Sequence, residues 1–165
     1  SDKELLPKIK DILKENDVRA TFFVDGVLLK EDNILITSLL QDFNEVELLN
    51  YKGSYDKLVF EEALDTLQVI ANRRGKYCLA NYDQKEILEL CSKEKMHTII
   101  PTIQVKSNPY LSLKGKIREG SIISISPTKD NISELDVVIK YIKQRGYTLD
   151  TLEQLLSEAR NINEK

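Results

Sequence analysis

Short runs of apolar residues alternate with amphipathic stretches along almost the whole chain. The run Ala20–Asp25 is rich in aromatic and β-branched residues, which is typical of a strand buried on both faces. The stretch before it, Lys3–Asn16, carries leucines and isoleucines at the 3.6-residue period of a helix. Repetition of a helix followed by a buried strand predicts an α/β protein with a parallel sheet or barrel.

The same pattern predicts six strands alternating with helices. The predicted strands are Ala20–Asp25, Glu45–Asn50, Tyr77–Asn81, His97–Val105, Gly120–Ser126 and Tyr147–Leu149. The predicted helices are Lys3–Asn16, Asp32–Phe43, Leu58–Arg74, Gln84–Lys95, Asp130–Gln144 and Thr151–Asn161, with a short helix or loop at Ser107–Arg118. Pro101 interrupts one strand, so we expect an edge, a bulge or an irregular end there. Gly75 is expected to end the longest helix.

Composition indicates a globular protein. Of the 165 residues, 41% are hydrophobic and 31% are charged, and no linker or low-complexity segment divides them. We therefore predict a single domain over residues 1–165. A net charge of −3 gives no basis for nucleic-acid binding. No apolar run approaches the ~20 residues of a membrane span, and no signal-peptide pattern begins the chain.

The cysteines and the histidine are few enough to interpret one by one. Cys78 lies in a predicted strand and Cys91 on the apolar side of a predicted helix. We expect both to be small buried side chains rather than a disulfide or a metal pair. His97 is the only histidine. We expect it to be a surface or strand-end residue, because a lone histidine lacks the partners of a zinc site.

Two passages carry a specific resemblance to a known family. They are Ala-Thr-Phe-Phe-Val at residues 20–24 and the segment Tyr141–Leu152, which contains Arg-Gly-Tyr-Thr-Leu. Both resemble the polysaccharide deacetylases of the NodB homology family, and weaker likenesses extend over nearly the whole chain. The resemblance implies a distorted (β/α)7 barrel. The family's first motif, Thr-Phe-Asp-Asp, would precede Ser1, so we expect the first barrel strand to be missing and the barrel to be incomplete.

The resemblance also implies a chemistry that this chain departs from. Active members remove N-acetyl groups from chitin, peptidoglycan or related glycans. They use a divalent metal, usually zinc, held by one aspartate and two histidines, with a second aspartate as base and a late histidine as acid. In the alignment that we favour, Tyr51 and Tyr55 stand at the two metal histidines and Ser126 at the late histidine. The family's third motif keeps only Tyr82, since Leu79 replaces its arginine. A chain with one histidine cannot supply two, so we expect no metal cofactor.

Polar and aromatic residues that follow the predicted strands define a candidate groove. The expected binding residues are Asp25, Asn50, Tyr51, Ser54, Tyr55, Asn81, Tyr82 and Ser126. Tyrosines beside a groove suit stacking and hydrogen bonding with sugars. The alternative is that Tyr51, Tyr55 and Tyr82 only fill the space left by the metal and its ligands.

These observations favour a degenerate deacetylase domain that is not an enzyme. We expect it to act as a glycan-binding or structural module of the cell envelope, with glycan or peptidoglycan as partner. An extracellular or envelope location is implied by the resemblance. One alternative is an active N-deacetylase with an atypical site built from Asp25, Asp56 and Asp83. Another is a protein–protein interaction domain whose open sheet edge, beside Ala20–Asp25, binds a second copy or a partner segment.

Overall fold

The computed structural model describes residues 2–49 and 56–164, in which helices alternate with short strands. In chain order, the elements are α1 (Asp2–Glu15), β1 (Thr21–Val24), α2 (Gly26–Glu31), α3 (Asn33–Gln41), β2 (Glu45–Leu48), α4 (Lys57–Ala71), β3 (Tyr77–Leu79), α5 (Lys85–Lys93), β4 (His97–Ile99), β5 (Ile103–Val105), α6 (Pro109–Leu113), β6 (Ile123–Ile125), α7 (Lys129–Gln144) and α8 (Leu152–Glu164). Within these ranges, no helix combines the length and the apolar composition that crossing a membrane requires.

The chain divides into two compact units. Unit 1 consists of Ser1–Ala20 and Pro101–Lys165, and unit 2 of Thr21–Ile100. In unit 2, β1 pairs in parallel with β2, and β3 pairs in parallel with β4. All four residues of β2 are buried, and helices α3 and α4 pack against this strand.

Unit 1 is built around one parallel pair of strands, β5 and β6. Helices α6 and α7 pack beside them and complete an apolar cluster. Its buried members are Val105, Leu113, Ile117, Val138 and Ile142. Helix α1 packs on α7, where Asn16 Nδ2 donates a hydrogen bond to Asp136 Oδ1 at 2.8 Å.

The described residues form six strands, but they are not the six predicted. The predicted strand His97–Val105 is divided around Pro101 into β4 and β5, which pair with different partners. The expected irregular end at this proline is therefore confirmed. Tyr147–Leu149 is not a strand. Tyr147 instead donates from its hydroxyl to the Ile117 carbonyl oxygen, and Leu149 packs on the unit 1 cluster, so side-chain packing alone explains the apolar character of this segment.

Two helix boundaries also differ from the prediction. Helix α2 was not among the predicted elements, and Gly26 is its first residue. Helix α4, which was predicted to be the longest, ends at Ala71 and is followed by Asn72 in the left-handed region with φ of 54°. Gly75 thus does not end this helix. It is buried, and a Cβ there would lie 3.0 Å from Leu64 Cδ2 and 3.2 Å from Glu47 Oε2. Close packing, not helix termination, favours a glycine at this position, because a Cβ would force its neighbours to shift.

Cys78 and Cys91 form a disulfide, which corrects the prediction of two unbonded side chains. Both are buried, as predicted. Strand β3 and helix α5 pack with the two Cα atoms 6.2 Å apart, within the range that a disulfide spans. A separation of 13 positions does not by itself indicate this contact. The contact arises only when the helix folds back onto the strand.

The carboxylate of Glu47 is the most deeply buried charged group in the described ranges. Its side chain is 0% exposed, and Arg73 contacts it at 2.8 Å through a guanidinium nitrogen. The backbone N–H groups of Lys76 and Tyr77 donate to the same carboxylate at 3.1 to 3.3 Å. Burial raises the pKa of Glu47 above its ordinary value of 4.5, although Arg73 and the two N–H groups oppose the rise. The carboxylate therefore joins β2 to the start of β3.

Replacing Glu47 should test this link. We expect Glu47→Ala to lower the free energy of unfolding by about 2–3 kcal/mol, because two backbone donors lose their buried acceptor while Arg73 keeps its contact with Glu45. Urea unfolding at pH 7 measures the loss. Glu62, which forms an exposed ion pair with Lys30, is the matched control, and its replacement by alanine should change the stability little.

The raised pKa of Glu47 determines the direction in which folding stability should change with pH. Because the folded-state pKa of Glu47 lies above 4.5, the bound proton stabilises the folded chain below pH 4.5. This contribution is lost as the pH rises through the folded-state pKa. We expect the stability of the wild type relative to Glu47→Gln to fall as the pH rises above 4.5. The opposite slope would mean that the pairing with Arg73 outweighs the burial of Glu47.

Candidate functional site

The candidate residues of unit 2 lie where the parallel strands end. Asp25 directly follows β1, and the N–H of Leu49 donates to the Val24 carbonyl oxygen at 2.8 Å, so β1 and β2 end together. The predicted residues that follow β2 are Asn50, Tyr51, Ser54 and Tyr55. They fall outside the described ranges, and their roles stay predictions.

Two of the three carboxylates proposed for an atypical active site begin helices. Asp25 Oδ1 accepts a hydrogen bond from the N–H of Val27 at 2.8 Å, at the start of α2. Asp56 Oδ1 accepts from the first turn of α4, including the N–H of Leu58 at 3.0 Å. Asp83 is exposed in the turn between β3 and α5. These positions are those of N-caps and turn residues, for which aspartate is a preferred residue.

Asn81 and Tyr82 follow β3. The N–H of Ala80 still donates to the Ile99 carbonyl oxygen at 3.0 Å, after which the chain leaves the ladder. The N–H of Asn81 donates to Gln84 Oε1 at 2.8 Å, which forms a tight turn before α5. Tyr82 is 82% exposed at the tip of this turn. The space-filling interpretation is therefore wrong for Tyr82, whose ring lies in solvent.

Ser126 follows β6 in unit 1. Its N–H donates to the Val105 carbonyl oxygen at 3.0 Å, and its own carbonyl oxygen accepts from Asn131 Nδ2 at 2.8 Å. The same Asn131 amide donates to the Lys106 carbonyl oxygen at 3.1 Å and is 1% exposed, so it holds the ends of β5 and β6 together. This role of Asn131 was not predicted. Thr128, whose Oγ1 caps α7 by accepting from the N–H of Asn131, was the available signal.

His97 is the first residue of β4 and is exposed. Its ring centroid lies 6.2 Å from that of Tyr77, the first residue of the paired strand β3. It thus sits at the amino end of its strand, whereas Asn81 and Tyr82 follow the carboxyl end of β3. The prediction of a strand-end surface histidine is confirmed.

The described side chains do not fit a catalytic metal. Zinc sites in proteins are built from several histidine, cysteine or carboxylate ligands that converge on one point. In the described ranges, no group of three or more such side chains could hold a metal ion. The two cysteines are joined to each other, and the candidate carboxylates Asp25 and Asp56 accept hydrogen bonds from helix N-termini.

The chain has relatives among curated proteins, although no protein-family model matches it. It is 26% identical over 174 residues to YlxY of Bacillus subtilis (strain 168), described as an uncharacterized protein. The match covers 95% of this chain and 54% of YlxY. An uncharacterized 30.6 kDa protein in the fumA 3′ region of Geobacillus stearothermophilus is also 26% identical, over 92% of this chain and 65% of its own length. The chain thus spans about half to two thirds of these relatives.

Solved structures of CE4 family proteins share the fold. BA3943 from Bacillus anthracis, a CE4 family pseudoenzyme, matches with a TM-score of 0.79 and 24% identity, over 94% of this chain and 62% of its own. A BA3943 mutant is described as having restored enzymatic activity. PdaC, a peptidoglycan deacetylase of Bacillus subtilis, matches with a TM-score of 0.80 and 20% identity, over 99% of this chain and 90% of its own. The predicted fold, an incomplete (β/α)7 type, is confirmed.

Proposed function

We propose that this chain, which has the fold of the CE4 polysaccharide deacetylases, is a catalytically inactive domain that binds glycan or serves a structural role in the cell envelope. The observation that carries the proposal is the histidine count. The sequence of 165 residues contains one histidine, and it lies at the amino end of β4. The metal site implied by the resemblance needs two histidines, and its acid needs a third.

The candidate ligand is a glycan. One neighbouring structure is a peptidoglycan deacetylase, which supports a peptidoglycan-like ligand and an envelope or extracellular setting. Tyr82 offers an exposed aromatic ring in the turn that follows β3, and Asn81 precedes it in the chain. An aromatic face can stack on a sugar ring while neighbouring polar groups bind its hydroxyls. A binding domain of this kind needs no metal.

A second candidate function is protein–protein interaction at a sheet edge. In the described ranges, the sheet that contains β1 has two strands, β1 and β2. Small sheets gain stability when another strand adds to them, and a second copy of this chain could supply it. Sedimentation velocity over a range of concentrations tests this candidate. A monomer at every concentration would contradict self-association.

An acetate-release assay separates the inactive domain from the atypical enzyme. With N-acetylated chito-oligosaccharide and zinc, we expect release no faster than in a protein-free blank. Asp25→Asn is the informative variant, because asparagine caps a helix about as well as aspartate while removing the charge. Release by the wild type that is lost in Asp25→Asn would show an active site and overturn the proposal.

Glycan binding can be tested at Tyr82. We expect Tyr82→Ala to weaken binding of the same oligosaccharide about fivefold, since an aromatic contact is worth about 1 kcal/mol. Tyr82→Phe keeps the ring and should bind like the wild type. Val69, an equally exposed apolar residue on α4, provides the control variant Val69→Ala. Titration calorimetry measures all four proteins, and equal affinities would place the glycan elsewhere.

A further inference from the structure

Helix α5 has little to hold it in place. It has nine residues, and helices of this length are marginal on their own. Gln84 stands at its N-cap but makes no side-chain bond to the helix, because its Oε1 accepts from the N–H of Asn81. The buried face of the helix consists of three side chains, Ile87, Leu90 and Cys91. One of these three is the cysteine bonded to β3.

The disulfide lies where it can stabilise the packing of α5 on β3. Cys78 is the middle residue of β3, and Cys91 lies in the last turn of α5. The bond closes the intervening turn and nearly the whole helix into one covalent loop. Closing a loop of this length restricts the unfolded chain and so favours the folded one. The link therefore supplements the packing of a helix that buries only three side chains.

We propose that the Cys78–Cys91 disulfide is a covalent clamp that fixes α5 on β3, and that a disulfide-exchanging oxidant outside the reducing cytosol supplies this bond as the chain folds. Disulfides persist in oxidising compartments and are kept reduced in the cytosol. The inference rests on the contact between β3 and α5 and does not depend on the proposed function.

The thiol–disulfide exchange is balanced in electrons and protons without any further reactant. One cysteine thiolate attacks the disulfide of the oxidant, forming a mixed disulfide and releasing one oxidant thiolate. The second cysteine thiolate then attacks the chain sulfur of the mixed disulfide. The Cys78–Cys91 bond forms, and the second oxidant thiolate leaves. The two chain thiols lose two electrons and two protons, and the oxidant disulfide becomes two thiols.

Burial constrains when this exchange can occur. The two residues are 2% and 0% exposed, so an oxidant cannot reach either sulfur in the folded chain. Oxidation must therefore precede the final packing of α5 or follow its local opening. For the same reason, a reductant should open the bond of the folded protein slowly and that of the unfolded protein quickly.

Thiol counting tests the clamp directly. The whole chain is produced once by export to an oxidising compartment and once in the reducing cytosol. Alkylation in urea should label no cysteine of the exported protein, and both cysteines after reduction. The reduced chain should melt about 6–12 °C below the oxidised chain. Two labelled cysteines in the exported protein, or equal midpoints for the two forms, would overturn the proposal.

Two variants distinguish the contribution of the disulfide to stability from that of side-chain packing. The double variant Cys78→Ala/Cys91→Ala should melt at a lower temperature that no longer depends on reductant. Ile87→Val trims a neighbouring buried side chain of α5 and should lower the midpoint while keeping the full response to reductant. A response to reductant that persists in the double variant would contradict the clamp. If the double variant does not fold, the comparison of oxidised and reduced wild type decides alone.

Discussion

The buried carboxylate of Glu47 is the interaction on which the arrangement of unit 2 depends. It accepts from two successive backbone N–H groups at the start of β3 and from the guanidinium of Arg73. These bonds satisfy a charge that would otherwise be costly to bury. They also bring the chain after α4 close to β2, so that a Cβ at Gly75, one residue before Lys76, would lie 3.2 Å from Glu47 Oε2. The buried charge, its hydrogen bonds and the close packing at Gly75 therefore all constrain the same segment, the chain between α4 and β3.

The sequence predicted the features that depend on local periodicity. Alternating apolar and amphipathic stretches indicated the α/β class, and most helix bounds agree within a few residues. The misses depend on contacts that are distant along the chain. Whether Tyr147–Leu149 forms a strand is decided by its packing, and whether Cys78 and Cys91 bond is decided by how α5 folds back. A pattern within one segment does not contain that information.

The predictions for the candidate site also separate into those that the sequence alone supports and those that depend on the fold. Composition alone gave the histidine count, and the structure added that His97 lies at the amino end of its strand. Which carboxylates begin helices could not be known for Asp25, because α2 itself was not predicted. A parallel α/β fold needs caps at the ends of its strands, where a helix starts. Aspartates at those positions therefore have a structural reason to be present, even where no reaction takes place.

Strand β3 shows how the scaffold can be supported independently of the residues that follow its strands. It has three residues, too few for a ladder to hold it strongly, and it pairs with the equally short β4. Glu47 fixes its amino end through the N–H groups of Lys76 and Tyr77, and the disulfide fixes its centre through Cys78. The turn that carries Asn81 and Tyr82 begins just beyond its last residue, Leu79. Neither support involves the side chain of Asn81 or Tyr82, so β3 can stay in place whatever residues follow it.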